Sequence, residues 1–218
     1  MRPRHPRQMV SPAPAPERRP FCDRCLRPRV ACFCAELKPF DPGFDLVILQ
    51  HPKERRKTTA SARMAHLAIS TSTLVQGVDC DAHPEVRARL EDPARFCVVL
   101  YPGREAIALD APEGLSRLRE ITGGRRLTVF VIDGTWSTAR TLLAKSPAVA
   151  ALPCVAFTPS RPSEYGFKKQ PARYCLSTVE AVIELVRALA PGADTGQMAR
   201  VFRGMVGRQL AYTADKKD

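Results

Sequence analysis

The chain lacks any long apolar run. No window of its 218 residues approaches the ~20 consecutive apolar residues of a membrane span, which excludes a transmembrane helix. The arginines near its start are followed by no apolar core, so a secretory signal is not expected. Acid is also scarce. Against 34 Lys and Arg there are 22 Asp and Glu, for a formal net charge of +12. Neutralising phosphates releases condensed counterions, so this excess favours a nucleic-acid partner. Solubility, or a coding bias towards arginine, is the plainer alternative. Tryptophan occurs once, as Trp136, and there is no internal repeat.

What is present is enough apolar residue to build a core. With 44% hydrophobic and 26% charged residues, the chain is not disordered as a whole. Its length fits one large domain, or one domain with a small appendage. Residues 1–20 are rich in proline and arginine and poor in large apolar groups. They cannot offset the entropy of ordering, which predicts a disordered basic tail. A cysteine cluster follows within residues 21–38, and the main domain is expected over residues 39–218. Eight cysteines without an export signal argue for reduced thiols or metal, and for a cytoplasmic protein.

Short apolar runs read as buried strands at Phe44–Gln50, Phe96–Tyr101 and Leu127–Ile132, with a brief one at Cys154–Phe157. Between them, helical spacing is seen at Thr59–Ile69, Glu113–Ile121 and Thr138–Lys145. Ser177–Ala190 carries a stripe of Val179, Val182, Ile183, Val186 and Leu189. It opens with Ser177-Thr-Val-Glu180, a capping-box pattern, and stops before Pro191-Gly192. A final helix is expected over Thr195–Tyr212. Apolar strands alternating with helices predict an α/β fold, a mostly parallel sheet flanked by helices on both faces.

Four constellations carry the candidate chemistry. Cys22-x2-Cys25-x6-Cys32-x-Cys34 can converge on a tetrahedral zinc, closed by sulfur and therefore structural. Two disulfides, a redox pair or an iron–sulfur cluster are the competing readings. Cys80, Cys97, Cys154 and Cys175 read as small core residues. Asp133-Gly-Thr-Trp-Ser-Thr-Ala-Arg140 follows a strand, where open α/β sheets place ligand sites. The alternative there is a tight turn with Trp136 packed as a core anchor.

A basic segment past the first strand, His51 to Thr59 with Arg63, can hold nucleic-acid phosphates, or can simply be a solvated helix entrance. The long stretch from Arg161 to Arg173 interleaves basic residues with Tyr165 and Phe167, offering charge and stacking surface to unpaired bases. The helix start at Ser177 favours a carboxylate, as an amino-acid-like ligand carries. Glu180 can equally be no more than a capping residue.

Taken in order, the cysteine cluster, Gln50-His-Pro-Lys-Glu54, Leu100-Tyr-Pro-Gly103, Asp133-Gly-Thr-Trp136 and Leu176-Ser-Thr-Val-Glu-Ala181 resemble the DTW-domain family, the tRNA-uridine aminocarboxypropyltransferases. The resemblance runs from Cys22 to the C-terminal helix. It departs at Thr58-Thr59, where many members have an Asn-Thr pair, and in the Pro/Arg tail. It implies a SPOUT-like enzyme with a C-terminal trefoil knot, acting on tRNA with S-adenosylmethionine as co-substrate. The 3-amino-3-carboxypropyl group moves to N3 of a uridine, giving acp3U and methylthioadenosine.

By the same resemblance, Leu100, Tyr101, Pro102, Gly103, Thr135, Trp136, Leu176, Ser177 and Thr178 form the cofactor pocket, with structural Zn on Cys22, Cys25, Cys32 and Cys34. The basic side chains expected on RNA are Lys53, Arg55, Arg56, Lys57, Arg140, Arg161, Lys168 and Lys169; Arg140 and Arg161 can instead pair with the cofactor carboxylate. The nucleophile is an imide nitrogen that must lose a proton, and Asp133 is the candidate acceptor. Its alternative role is to bind backbone amides of the Thr135-Trp136 turn. A SPOUT-like RNA methyltransferase and a non-catalytic zinc-dependent RNA-binding protein are the alternative functions. A monomer is expected.

Overall fold

β1 (Asp45–Gln50) is buried along its whole length, as its unbroken apolar sequence requires of a strand covered on both faces. The computed structural model describes residues 20–55, 61–165 and 175–214, with side chains to residue 211. On either side of β1 lie β2 (Ser72–Gln76) and β5 (Arg126–Asp133). β3 (Arg95–Leu100), β6 (Cys154–Ala156) and the two-residue β4 (Ile107–Ala108) complete the order β2-β1-β5-β3-β6-β4. Every pairing in this sheet is parallel.

Alternation along the strands divides the core into two layers. Leu46 and Ile48 face a cluster shared with α2 (Ala62–Ala68), α4 (Pro112–Thr122), α7 (Thr178–Leu189) and α8 (Gly196–Ala214). Val47 and Leu49 face the opposite cluster, covered by α3 (Pro84–Leu90), α5 (Trp136–Lys145) and α6 (Pro147–Ala150). A further short helix, α1 (Pro52–Arg55), follows β1 directly. At the amino end of the sheet, buried Asp45 pairs with Arg95 and with Arg126 Nε at 2.8 Å, so its charge is compensated. No described helix is long and apolar enough to cross a membrane.

The expected strands and the capped α7 are present. The sequence periodicity does not register α1, β2, α3, β4 or α6, and α1 has only four residues. β2 is a half-exposed edge strand with only Val75 fully buried, so its apolar signal is weak. The start of α3 is capped by a histidine, His83 Nδ1 accepting from Glu85 N at 3.2 Å, instead of the usual short polar residue. β4 and α6 are too short for any periodicity to register. α5 begins at Trp136, two residues before the expected start, because Thr135 is its N-cap. α2 is shorter than the predicted Thr59–Ile69, with residues 59–60 outside the described part.

The cysteine segment is packed into the larger core. Cys25, Phe33 and Leu37 belong to the same buried cluster as α7 and α8. Gln197 of α8 accepts from Lys38 N at 3.1 Å and donates to Glu36 O at 2.8 Å. Residues 1–19 of the predicted tail lie outside the described residues.

Candidate active site

Three neighbouring strands end in polar residues after apolar stretches, and the register sets Gln76, Gln50 and Asp133 side by side at the carboxyl edge. Gln76 Nε2 donates to Gln50 Oε1 at 2.9 Å, and Gln50 Nε2 donates to Asp133 Oδ2 at 2.9 Å. From the opposite side, Thr178 Oγ1 donates to Asp133 Oδ1 at 2.5 Å. The buried Asp133 carboxylate therefore joins the sheet edge to the first residue of α7. His51 N also donates to the Asp133 carbonyl at 3.0 Å. Capping of the following turn falls to Thr135, whose Oγ1 accepts from Thr138 N at 3.3 Å. Gly134 is needed for the close approach: a Cβ there would lie 2.5 Å from Thr138 Oγ1.

A cavity of about 460 Å³ opens against Ile132, Gly134 and Thr178, the neighbours of this carboxylate, and Asp133 itself does not line it. That volume lies within the ~300–1,000 Å³ of small-molecule sites. Of the residues expected to hold the cofactor, Leu100, Tyr101, Pro102, Trp136, Leu176 and Thr178 line it. Gly103, Thr135 and Ser177 do not; the last two serve as helix caps. Trp136 is 42% exposed, so it is a wall of the cavity and not a core anchor. Its Nε1 donates to Cys175 Sγ at 3.3 Å, and its ring meets Tyr101 edge-on at 6.1 Å. Cys175 is buried, as expected of a small core residue, and it also lines the cavity.

Glu180 does more than cap. Its carboxylate accepts from Ser177 N (2.8 Å), Ser177 Oγ (2.6 Å), Ser163 Oγ (2.7 Å) and Glu164 N (2.7 Å). It pins the loop before Tyr165 to the start of α7. Lys53 and Arg55 are exposed on α1, Arg140 on α5, and Arg161 on the loop. Arg161 borders a separate small depression with Glu184 and Arg203. Arg56, Lys57, Lys168 and Lys169 lie outside the described residues.

Gln50 and Phe157 were not singled out from the sequence as site residues. Gln50 had a usable signal, one amide closing an apolar strand. Phe157 had none beyond the end of a short apolar run.

The Sγ atoms of Cys22, Cys25, Cys32 and Cys34 all lie within 4.8 Å of one another. Cys22 and Cys34 are 3.8 Å apart, Cys25 and Cys32 3.7 Å. A tetrahedron of Zn–S bonds near ~2.3 Å has edges of about 3.8 Å, whereas a disulfide needs ~2.05 Å. Backbone N–H groups of Cys25 and Arg24 pull the Cys22 thiol down to about 6. Buried Arg27 leaves one Nη without a partner among the described residues and feels the charge of Cys25. Four thiolates on one divalent ion leave two negative charges in excess, which a buried guanidinium offsets. The donor set and its surroundings fit structural zinc.

A family model described as the DTW domain matches residues 19–210. A Drosophila melanogaster protein named tRNA-uridine aminocarboxypropyltransferase 2 is 30% identical over 185 residues, 81% of this chain and 69% of that one. A Mus musculus protein of the same name is 32% identical over 173 residues, 75% of this chain and 54% of its own length. An Arabidopsis thaliana protein named tRNA-uridine aminocarboxypropyltransferase A is 26% identical over 228 residues, 93% of this chain and 86% of that one. The chain thus spans just over half of the mouse relative. No solved structure matches it.

Proposed function

This chain belongs to the DTW-domain family, and we propose that it is a tRNA-uridine aminocarboxypropyltransferase. The names of its relatives support transfer of an aminocarboxypropyl group to a tRNA uridine; in our reading the donor is S-adenosylmethionine and the acceptor atom is N3. The observation that carries the reading is the apolar cavity at the sheet's carboxyl edge, with a doubly hydrogen-bonded carboxylate beside it. A SPOUT-like topology with a C-terminal trefoil knot, a monomeric state and a cytoplasmic location belong to the same proposal.

S-adenosylmethionine supplies an electrophilic carbon, the methionine Cγ bonded directly to the sulfonium sulfur. The C–S bond to that carbon breaks as the N3–C bond forms, methylthioadenosine leaves, and the imide proton is released. Leu100, Tyr101, Pro102 and Leu176 give the cavity apolar walls suited to the adenosine, and Trp136 and Tyr101 supply aromatic surface. The N-terminus of the 12-residue α7 favours the amino-acid carboxylate. Gripping the two ends separately aims the gamma carbon, not the methyl, at N3.

Asp133 lies buried just behind the cavity wall formed by Ile132, Gly134 and Thr178, and we assign it the imide proton. Hydrogen bonds from Gln50 and Thr178 favour its anionic form and fix its direction. It orients the N3–H and takes the proton as attack makes that nitrogen more acidic. Lys53, Arg55, Arg140 and Arg161 hold tRNA phosphates, together with Arg56, Lys57, Lys168 and Lys169. Zinc on the four cysteines holds the knuckle closed and takes no part in the transfer.

The test is incubation with S-adenosylmethionine and unmodified tRNA, followed by nucleoside mass spectrometry. The expected products are acp3U and methylthioadenosine. A methylated nucleoside would replace this reading with an RNA methyltransferase. Binding of tRNA without any product would leave a zinc-dependent RNA-binding protein.

A further inference from the structure

We propose that the outer face of the cysteine knuckle is an RNA docking surface, on which unpaired tRNA bases stack against Phe21, Leu26 and Val30 while Arg24 and Arg29 hold the adjoining phosphates. The proposal rests on tRNA being the substrate and adds where, outside the cavity, the tRNA is gripped.

The first argument is exposure. Five large apolar side chains are exposed among the described residues, and three of them are Phe21 (53%), Leu26 (40%) and Val30 (89%). A fourth is Trp136, which walls the cavity. The knuckle's inward side is well packed, with Cys25, Phe33 and Leu37 buried. Its outward apolar groups are therefore not left over from a core that failed to close. Covering them would be favourable, and no described part of the fold covers them.

The second is backbone geometry. Phe21 bridges to Pro28, Arg29 N donates to Pro20 O at 2.9 Å, and Leu26 N donates to Cys22 O at 2.8 Å. These bonds hold Phe21, Leu26 and Val30 on one small rigid unit. Leu26 has φ of 56°, a left-handed conformation where glycine is the easy choice. A branched apolar side chain is kept there and turned to solvent.

The third is charge. Residues 20–31 contain three arginines and one acid, Asp23. Arg24 and Arg29 are exposed, whereas Arg27 is turned inward beside the sulfurs. Arg63 Nη1 donates to Arg24 O at 3.4 Å, and burial, followed by the Arg55 charge, disfavours the Arg63 cation. Arg55 and Lys53 lie on α1, whose preceding residue, His51, bonds to the Asp133 carbonyl. A basic track thus leads from the knuckle to the reacting carboxylate. Phe21 offers a ring on which a base can stack, Leu26 and Val30 add apolar contact beside it, and the arginines suit the phosphates, as in single-strand recognition. An apolar protein partner would leave Arg24 and Arg29 facing nothing.

The fourth is rigidity. Gln197 bonds to Lys38 and Glu36, and Arg208 pairs with Glu36 at 3.2 Å, tying the knuckle to α8. The stacking surface is held at a fixed offset from Asp133. It can therefore select a tRNA by the distance between an unpaired region and the target uridine.

The experiment uses the full, zinc-loaded chain and unmodified tRNA. Phe21→Ala combined with Val30→Ala is expected to raise the tRNA Kd about ten-fold or more. Zinc content, melting temperature and S-adenosylmethionine affinity stay at wild-type values, as does kcat at saturating tRNA. Arg24→Ala with Arg29→Ala is expected to lower the slope of log Kd against log salt by roughly one for each phosphate no longer neutralised. Wild-type Kd and salt slope in both double variants would overturn the proposal. So would a wild-type dimer that the Phe21/Val30 variant dissociates with no change in tRNA Kd, since the face would then be a contact between copies. Failure of the transferase reading is seen separately, as tRNA binding without acp3U, and the Kd comparison still decides the knuckle.

Discussion

The carboxyl edge of the sheet and the cysteine knuckle both gather polar groups into one place, but by different forces. At the sheet edge, Gln76, Gln50 and Asp133 are neighbours because three apolar strands are in register beneath them. Their spacing is a by-product of the hydrophobic core and its backbone ladder. In the knuckle, one bridge and a few turn hydrogen bonds shape the loop, its inner side packs on the main core and α8, and four sulfurs converge within 4.8 Å. There the ligands come first, and the loop follows from them. A site on a sheet edge tolerates loss of one side chain and changes its chemistry. A metal knuckle losing one ligand loses its shape.

The sharpest way to break this comparison is to remove a sulfur. Cys32→Ser is expected to lower zinc content and folded yield, because structural zinc contributes its binding free energy to folding. Metal analysis and melting curves check it; undiminished zinc would sink the knuckle. Next in size is Asp133→Ala, expected to cut turnover by roughly 10²–10⁴-fold with tRNA binding little changed, and to cost ~1–3 kcal/mol of stability because Gln50 and Thr178 lose their acceptor. Single-turnover assays beside filter binding read this, and full activity would remove Asp133 from catalysis.

A smaller change is Gln50→Leu, which leaves a buried carboxylate oxygen short of a donor. It is expected to destabilise the protein by ~1–3 kcal/mol in denaturant titration and to slow turnover without altering zinc. Smallest is Thr135→Ala, the loss of one N-cap, expected to cost ~1 kcal/mol. Equal loss of zinc in the Gln50 or Thr135 variants would show that the two regions do not stand independently.

Much of this organisation is legible along the chain because it is local. The Ser177-Thr-Val-Glu180 pattern announces the start of α7, and the apolar stripe that follows is its buried face. The cysteine spacing is equally readable, since ligand convergence within one short loop needs no distant partner. β2 and α3 escaped because an edge strand buries little and a histidine cap is an unusual helix signal. Trp136 showed the limits of residue type. Its chemistry suits a core and a ligand wall equally, and only its neighbours decide.

By itself the sequence determined a parallel sheet between helices, a four-sulfur knuckle and a basic chain suited to nucleic acid. Periodicity, capping and charge act over a few residues and need no fold to be read. The tertiary structure alone decided what Asp133 touches. Gln50 lies 83 residues before it and Thr178 lies 45 after it. Those contacts exist only because β1 and β5 pair as neighbours in the sheet while α7 returns across their ends. The same holds for the outward face of the knuckle. Its residues could be counted in the chain, but which of them face solvent depended on how the loop docks against α8.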